Sequence, residues 1–145
     1  MEENFRTLQK STIENGTPLK IIRVPAGPLQ TREIAYKTLN AEEQSWFENV
    51  SSDTVSFYLT TGYMNFIIAN GIIVTAKFWR EGLPSEWKVL DSTAEAVLAS
   101  AFPNRRIVQV DCMPLHHDGA GLHCHSRNKP KGEIAETVLN RSIIK

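Results

Sequence analysis

The sequence predicts a mixed α/β (α+β) domain, and three observations carry that class. Helical and strand patterns interleave along the chain. An Asn70-Gly71 pair divides two apolar runs as a hairpin turn does. Apolar residues at helical spacing follow Ser92 and stop at Pro103. With 145 residues, 41% of them hydrophobic and 22% charged, residues 1 to 145 read as one domain large enough to bury a core.

Taken in order, residues 5 to 15 pattern as a short helix, with Phe5, Leu8 and Thr12 on one side and Asn15-Gly16 as its stop. Leu19 to Val24 reads as a strand closed by Pro25. From Ala26 to Asp53 the pattern is weak: Gly27-Pro28 marks a turn, and Ala41 to Phe47 allows one or two helical turns. Val55 to Leu59 and Asn65 to Ala69 are expected strands, the second returning through Asn70-Gly71 into Ile72 to Thr75. Their continuous apolar runs predict a strand pair covered on both faces.

A loop is expected around Glu81 to Trp87. Ser92 and Glu95 then fit a capping box, and Ala94, Val97, Leu98, Ala101 and Phe102 give the helix its face. Arg106 to Val110 is the next strand. Ile134, Val138 and Leu139 suggest an extra C-terminal helix within 131 to 145. A helix followed by a strand occurs twice, a faint internal repeat.

Bulk properties exclude some functions. Lys plus Arg and Asp plus Glu number 16 each, so no net field favours nucleic acid or an anionic membrane. The N-terminus has no signal-peptide pattern, and the longest apolar run, Phe66 to Thr75, is interrupted and too short to span a bilayer. Two cysteines make no disulfide framework, which leaves a cytoplasmic setting as the expectation.

Chemistry concentrates in one place. All four histidines and both cysteines lie in the fourteen residues from Cys112 to His125. Three readings compete. Cys124, after the flexible Gly119-Ala120-Gly121, has the setting of a nucleophile. In an extended chain, however, His123 and His125 would point away from it and make poor bases. A metal site is the second reading, with His116, His117, Asp118, His123, His125 and both cysteines as available ligands, although no zinc-type spacing is present. The third is plain structure: Cys112 as a small buried residue, His116 and His117 solvated in a loop.

Three ordered motifs reduce the choice. Tyr63 to Val74 resembles the Y-x-N-F-Y-I-A-N-G-x-x-I-V stretch of the agmatine deiminase family, which includes the bacterial (Porphyromonas-type) peptidylarginine deiminases. Ala101-Phe102-Pro103-Asn104-Arg105 resembles its L-F-P-D-R, followed by the strand to Asp111. Gly119 to Cys124 resembles its G-G-G-N-I-H-C, with Pro130 at the matching distance. The resemblance covers about residues 4 to 130.

That resemblance implies a pentein-type α/β propeller, of which this chain would form about the last two of five pseudo-repeats. It implies a guanidino-group hydrolase that uses no metal or organic cofactor. Cys124 would attack the guanidinium carbon, expel ammonia, and release a ureido product from a thiouronium intermediate. Asn65, Gly119 and Gly121 would line the substrate pocket, although the local reading of Asn65 as a strand-end residue satisfying backbone groups is equally open.

There are departures: Asp118 and Ala120 replace glycines, Gly121 replaces an asparagine, and His125, Arg127 and Lys129 replace neutral positions. On a strand, Arg127 and Lys129 would face away from Cys124. The family's H-x-D/E histidine and guanidinium-binding carboxylates fall upstream of the matching region.

The expectation is a C-terminal, cysteine-bearing portion, inactive alone, for a small guanidino compound or an arginyl peptide. Self-association or a partner chain would cover its open sheet edges. The alternatives are a non-catalytic oligomerising module of the same fold and a His/Cys metal-binding domain.

Overall fold

The computed structural model describes residues 2–47, 50 and 52–129. The helix expected within 131 to 145, and Pro130, lie outside the described residues.

The first helix, α1, spans Glu2–Gln9 rather than 5 to 15. Glu2 and Glu3 in its first turn oppose the positive end of the helix dipole. Asn15-Gly16 is not its stop but a separate turn. Asn15 Oδ1 accepts the Thr17 amide at 3.0 Å, and Gly16 has φ +80°. Leu19 to Val24 joins no ladder among the described residues, so the expected strand is not formed. Repeated backbone pairing is what defines a strand, and here the Leu19 amide makes one bond, to the Ser11 carbonyl at 3.2 Å, while Leu19 and Ile22 stay exposed.

The weakly patterned stretch holds more structure than its sequence signals. Strand β1, Thr31–Ala35, pairs antiparallel with β2, Thr54–Tyr58, in a two-stranded ladder. Helix α2, Ala41–Ser45, opens on a capping box: Asn40 Oδ1 accepts the Glu43 amide, and Glu43 reaches back to the Asn40 amide.

A second sheet has the order β3-β4-β5, formed by Ile67–Ala69, Ile72–Lys77 and Arg106–Asp111. Gly71, at φ +73°, makes the expected reversal between β3 and β4. Cover on both faces holds only for the middle strand, where Ile73 and Thr75 on one face and Ala76 on the other are buried, whereas Ile68 on β3 is 41% exposed. Strand β4 then runs parallel to β5, connected through helix α3.

Helix α3 spans Ser85–Ala101, so it starts seven residues before the expected capping box. Ser92 lies inside it, with its hydroxyl bonded back to the Lys88 carbonyl at 2.9 Å. The buried stripe explains the earlier start. Trp87 and Leu90 pack against the core, and Asp91, Ala94 and Leu98 are buried. Gln109 on β5 fastens the helix to the sheet through a 2.8 Å bond to the Asp91 carbonyl.

A last short helix, α4, Met113–His117, forms where only a loop was expected. The Met113 amide donates to Asp111 Oδ1 at 3.0 Å, Pro114 sits in the first turn, and Arg32 on β1 donates to the His117 carbonyl at 2.8 Å. The core cluster of Tyr63, Ala76, Phe78, Ala94 and Cys112 packs against Met113, Leu115 and Leu122.

Candidate active site

The topology brings three loops to one end of the sheet. Strands β4 and β5 are parallel, so their carboxyl ends coincide, and antiparallel β3 begins at that same end. Asn65 lies just before β3, Phe78 and Trp79 just after β4, and the whole His/Cys segment just after β5. In open α/β sheets, ligands bind outside the carboxyl ends of strands.

Cys124 is an exposed free thiol in a turn over Leu122 to His125. The extended geometry expected for this stretch is therefore replaced, and so is the alternation that turned Arg127 and Lys129 away from the thiol. Ser126 closes the turn with both its amide and its hydroxyl on the His123 carbonyl, at 3.1 and 3.0 Å. His125 contacts the Gly121 carbonyl through Nδ1 at 3.1 Å, four residues back along its own turn.

One side chain holds this turn from across the site. Asn65 donates from Nδ2 to Cys124 Sγ at 3.1 Å. Its Oδ1 accepts the His123 amide at 2.6 Å and the Cys124 amide at 3.3 Å. The local reading of Asn65 is seen in these bonds: it satisfies backbone donors, and the donors belong to the cysteine turn. An N–H aimed at sulfur favours thiolate over thiol, and the Asn65 bond is the largest cause holding the Cys124 pKa below its ordinary value, with the Gly121 backbone acting in the same direction.

Gly121 makes that approach possible. A Cβ there would come within 2.6 to 2.8 Å of three Asn65 side-chain atoms. Gly119 serves differently: it sits at φ +79° with open space around its α-carbon, so it turns the chain rather than yielding room. We predict that Gly121→Ala displaces Asn65 from Cys124 and costs about 1–3 kcal/mol by overpacking. Urea denaturation and the rate of Cys124 alkylation at pH 7 should both register it, and an unchanged rate would mean that the turn does not depend on the contact.

Cys112 has the opposite character, in agreement with its expected structural role. It is 4% exposed, and burial first, then the charge of Asp111, pushes its pKa up to about 11. Its sulfur lies 3.3 Å from His116 Nε2. His116 overturns the expectation of a solvated loop residue. It is 1% exposed, near Phe78 with ring centroids 5.4 Å apart, and burial lowers its pKa against an opposing pull from the Thr60 and Ala120 backbone. Its Nδ1 has no hydrogen-bond partner of good geometry among the described residues. Phe78 and Cys112 close around its ring, contacts invisible to local pattern.

Sequence reasoning also passed over Asp91 and Tyr63. Asp91 is a buried carboxylate that accepts the Tyr63 hydroxyl at 2.8 Å, the Phe78 amide at 3.0 Å and the Trp79 amide at 2.8 Å. A signal was present: Asp91 stands three and seven residues before Ala94 and Leu98, on the apolar stripe. An acid on a core-facing stripe needs buried donors.

Two hollows adjoin the cysteine segment. One, of about 770 Å³, is lined by Arg32, Trp46, Phe57, Asp118 and Gly119 among others. A smaller one, of about 320 Å³, is lined by Asn65, His123, Met64, Phe66, Ile68 and Asn128. The smaller is the nearer to the chemistry, because Asn65 and His123 are the residues bonded around Cys124. Among the described residues, no three His, Cys, Asp or Glu side chains converge as a metal site.

This mixed α/β fold is similar to part of a solved deiminase. The structure of the agmatine deiminase of Enterococcus faecalis superposes with a TM-score of 0.61 at 19% identity, over 90% of this chain and 32% of that one. The model of the Porphyromonas-type peptidyl-arginine deiminase family matches residues 1–130, and the chain belongs to that family. Agmatine deiminases from two strains of Pseudomonas fluorescens are 29% and 31% identical over 127 residues, which is 87% of this chain and 31% of each of those proteins. The chain thus spans about a third of the length of the curated relatives it matches.

Proposed function

We propose that this chain supplies the nucleophile-bearing part of a guanidino-group hydrolase. Cys124 is the nucleophile, Asn65 positions and activates it, Gly121 makes room for Asn65, and Gly119 turns the chain at the edge of the larger hollow. The substrate is agmatine or the guanidinium of an arginyl peptide. The observation that carries this reading is the Asn65 Nδ2–H donated to Cys124 Sγ at 3.1 Å.

The chemistry follows from a soft anion meeting a planar cation. The thiolate adds to the guanidinium carbon, forming the C–S bond. One C–N bond then breaks, its nitrogen takes up a proton, and ammonia leaves, giving a thiouronium. Water adds to that carbon and gives up both its protons as the C–S bond breaks, returning the thiolate and a ureido product. The guanidinium also requires carboxylates to hold it and a general acid/base to move protons. Among the described residues, no imidazole or carboxylate hydrogen-bonds the Cys124 sulfur, and His125 is occupied with Gly121. The acid/base and the carboxylates therefore come from the rest of the family's propeller, of which this chain makes about the last two of five pseudo-repeats.

Exposed Leu19, Ile22, Met64 and Ile68 support an interface beside the 19 to 24 segment, which joins no ladder among the described residues, and the outer strand β3, filled by a second copy or by a partner chain. We place the protein in the cytoplasm, with no nucleic-acid or membrane partner. No helix among the described residues is long and apolar enough to cross a membrane.

Ammonia release from agmatine and from arginyl peptides tests the incompleteness directly. The chain alone should give no turnover above a Cys124→Ala control. Robust release that this substitution abolishes would place the whole machinery within these residues and overturn that part of the reading.

A further inference from the structure

Asn65 sits on a segment with few backbone partners, its own carbonyl accepting the His123 amide at 3.3 Å. Residues 60 to 66 form turns and irregular chain between β2 and β3, and the isolated bridge of Gly62 to Ala26 is their one ladder contact among the described residues. Met64 next to Asn65 is 61% exposed and anchors nothing. Phe66 on the far side rests edge-on against Phe102, with centroids 5.8 Å apart. The strongest attachment is Tyr63. Its side chain is 1% exposed, its ring meets Phe78 edge-on at 5.1 Å, its carbonyl accepts the Thr75 hydroxyl at 2.7 Å, and its own hydroxyl donates to Asp91 at 2.8 Å.

Asp91 is itself fixed. It projects from α3 and takes the amides of Phe78 and Trp79, so one carboxylate ties the helix, the end of β4 and the Tyr63 ring together. The Asn65 amide must hold its position to within a few tenths of an ångström to keep a bond to sulfur, and a polar side chain on an irregular loop does so only if its own backbone is locked.

We propose that Tyr63 and Asp91 are positioning residues, which act through Asn65 to set the orientation and thiolate character of Cys124. This rests on Cys124 being the nucleophile and deepens that reading. It assigns a role in the reaction to the one buried carboxylate among the described residues, which touches neither the cysteine nor its loop.

The test is the pH dependence of Cys124 carboxamidomethylation by iodoacetamide, read by peptide mass spectrometry on the full chain. Four proteins are compared: the parent, Asn65→Ala, Tyr63→Phe, and Val55→Ala as a core variant in the other sheet. Tyr63→Phe removes a single oxygen and leaves Asp91 its two amides, so the fold should survive. It should slow alkylation at pH 7 by about three- to tenfold and move the midpoint upward, in the same direction as Asn65→Ala.

Val55→Ala should lose stability to urea yet keep the parent midpoint. A Tyr63→Phe midpoint equal to the parent's, with Asn65→Ala shifted, would overturn the positioning role alone. The same holds if Val55→Ala shifts as far as Tyr63→Phe, since the effect would then be general loosening. A parent whose Cys124 titrates as an ordinary thiol, unmoved by Asn65→Ala, would instead remove the nucleophile reading itself.

Discussion

Asp91→Ala should be the most destabilising single substitution outside the hydrophobic side chains. Removing the carboxylate strands three donors: the Tyr63 hydroxyl and the Phe78 and Trp79 amides. A buried donor without a partner costs about 1–3 kcal/mol. Partial entry of water and relaxation of the Trp79 end keep the sum below three full penalties, at roughly 3–6 kcal/mol. The gain from placing alanine in a helix interior is at most about 0.7 kcal/mol and cannot offset that loss. Set against a total of about 5–15 kcal/mol for an ordinary domain, the effect is large.

Urea unfolding followed by circular dichroism measures it, with Glu95→Ala, exposed on the same helix, as the neutral comparison within about 0.5 kcal/mol. Asp91→Asn should fall between the two. Its oxygen can accept from Tyr63 and Phe78, but its NH₂ would then face the Trp79 N–H, donor against donor. An Asp91→Ala protein within about 1 kcal/mol of the parent would mean that these donors find other partners.

Asp91 also shows where sequence pattern fails. The Asn70-Gly71 hairpin, β2 and β5 were legible because each rests on local chemistry: a turn needing positive φ, or a compact apolar run. Their bounds moved by a residue or two. Helix α3 was legible in type but misplaced at its start, because Ser92-x-x-Glu95 imitates a cap. The true start depends on Trp87 and Leu90 reaching a core that only the folded chain defines. Strand β1 was missed for a related reason: Thr31 to Ala35 has little apolar alternation and exists through its pairing with β2.

The candidate site divides the same way. Cys124 could be picked out from its motif and from the glycines before it. The Asn65 partnership could not be, since it joins residues 59 apart in sequence through a side-chain amide. His116 reads as a loop histidine until Phe78 and Cys112 are placed around it. The extended geometry assumed near Cys124 made its neighbouring histidines look misdirected. The turn that is present changes that geometry, yet His125 contacts Gly121 rather than the sulfur. Cooperation between distant loops is what the sheet topology supplies, by bringing the start of β3 and the ends of β4 and β5 to one edge.

The two cysteines should differ in reactivity by more than about 100-fold at pH 7, with Cys124 the faster. Cys112 titrates at about 11, and Cys124 below the 9.0 of an unperturbed thiol, so their thiolate fractions at neutral pH differ by at least about two orders of magnitude. A more basic thiolate is the better nucleophile once formed, and at a Brønsted slope of about 0.4–0.5 this returns nearly tenfold to Cys112. Acidity alone would then leave only about a tenfold contrast.

Access decides the remainder. Cys112 is 4% exposed beneath α4 and must wait for local opening, whereas Cys124 is already at the surface. Raising the pH separates the two effects. Cys124 labelling should level off as its thiol ionises, while Cys112 labelling should keep rising toward pH 11 and accelerate further when urea opens the core. Mass spectrometry of the two cysteine peptides after short iodoacetamide pulses gives both curves. Equal rates in the folded protein would mean that burial and the Asn65 contact do not govern these thiols. A contrast that persists in urea would trace it to local sequence instead of to the fold. The expected pattern, a large contrast that collapses on unfolding, ties the reactivity of Cys124 to the assembled strand-end site.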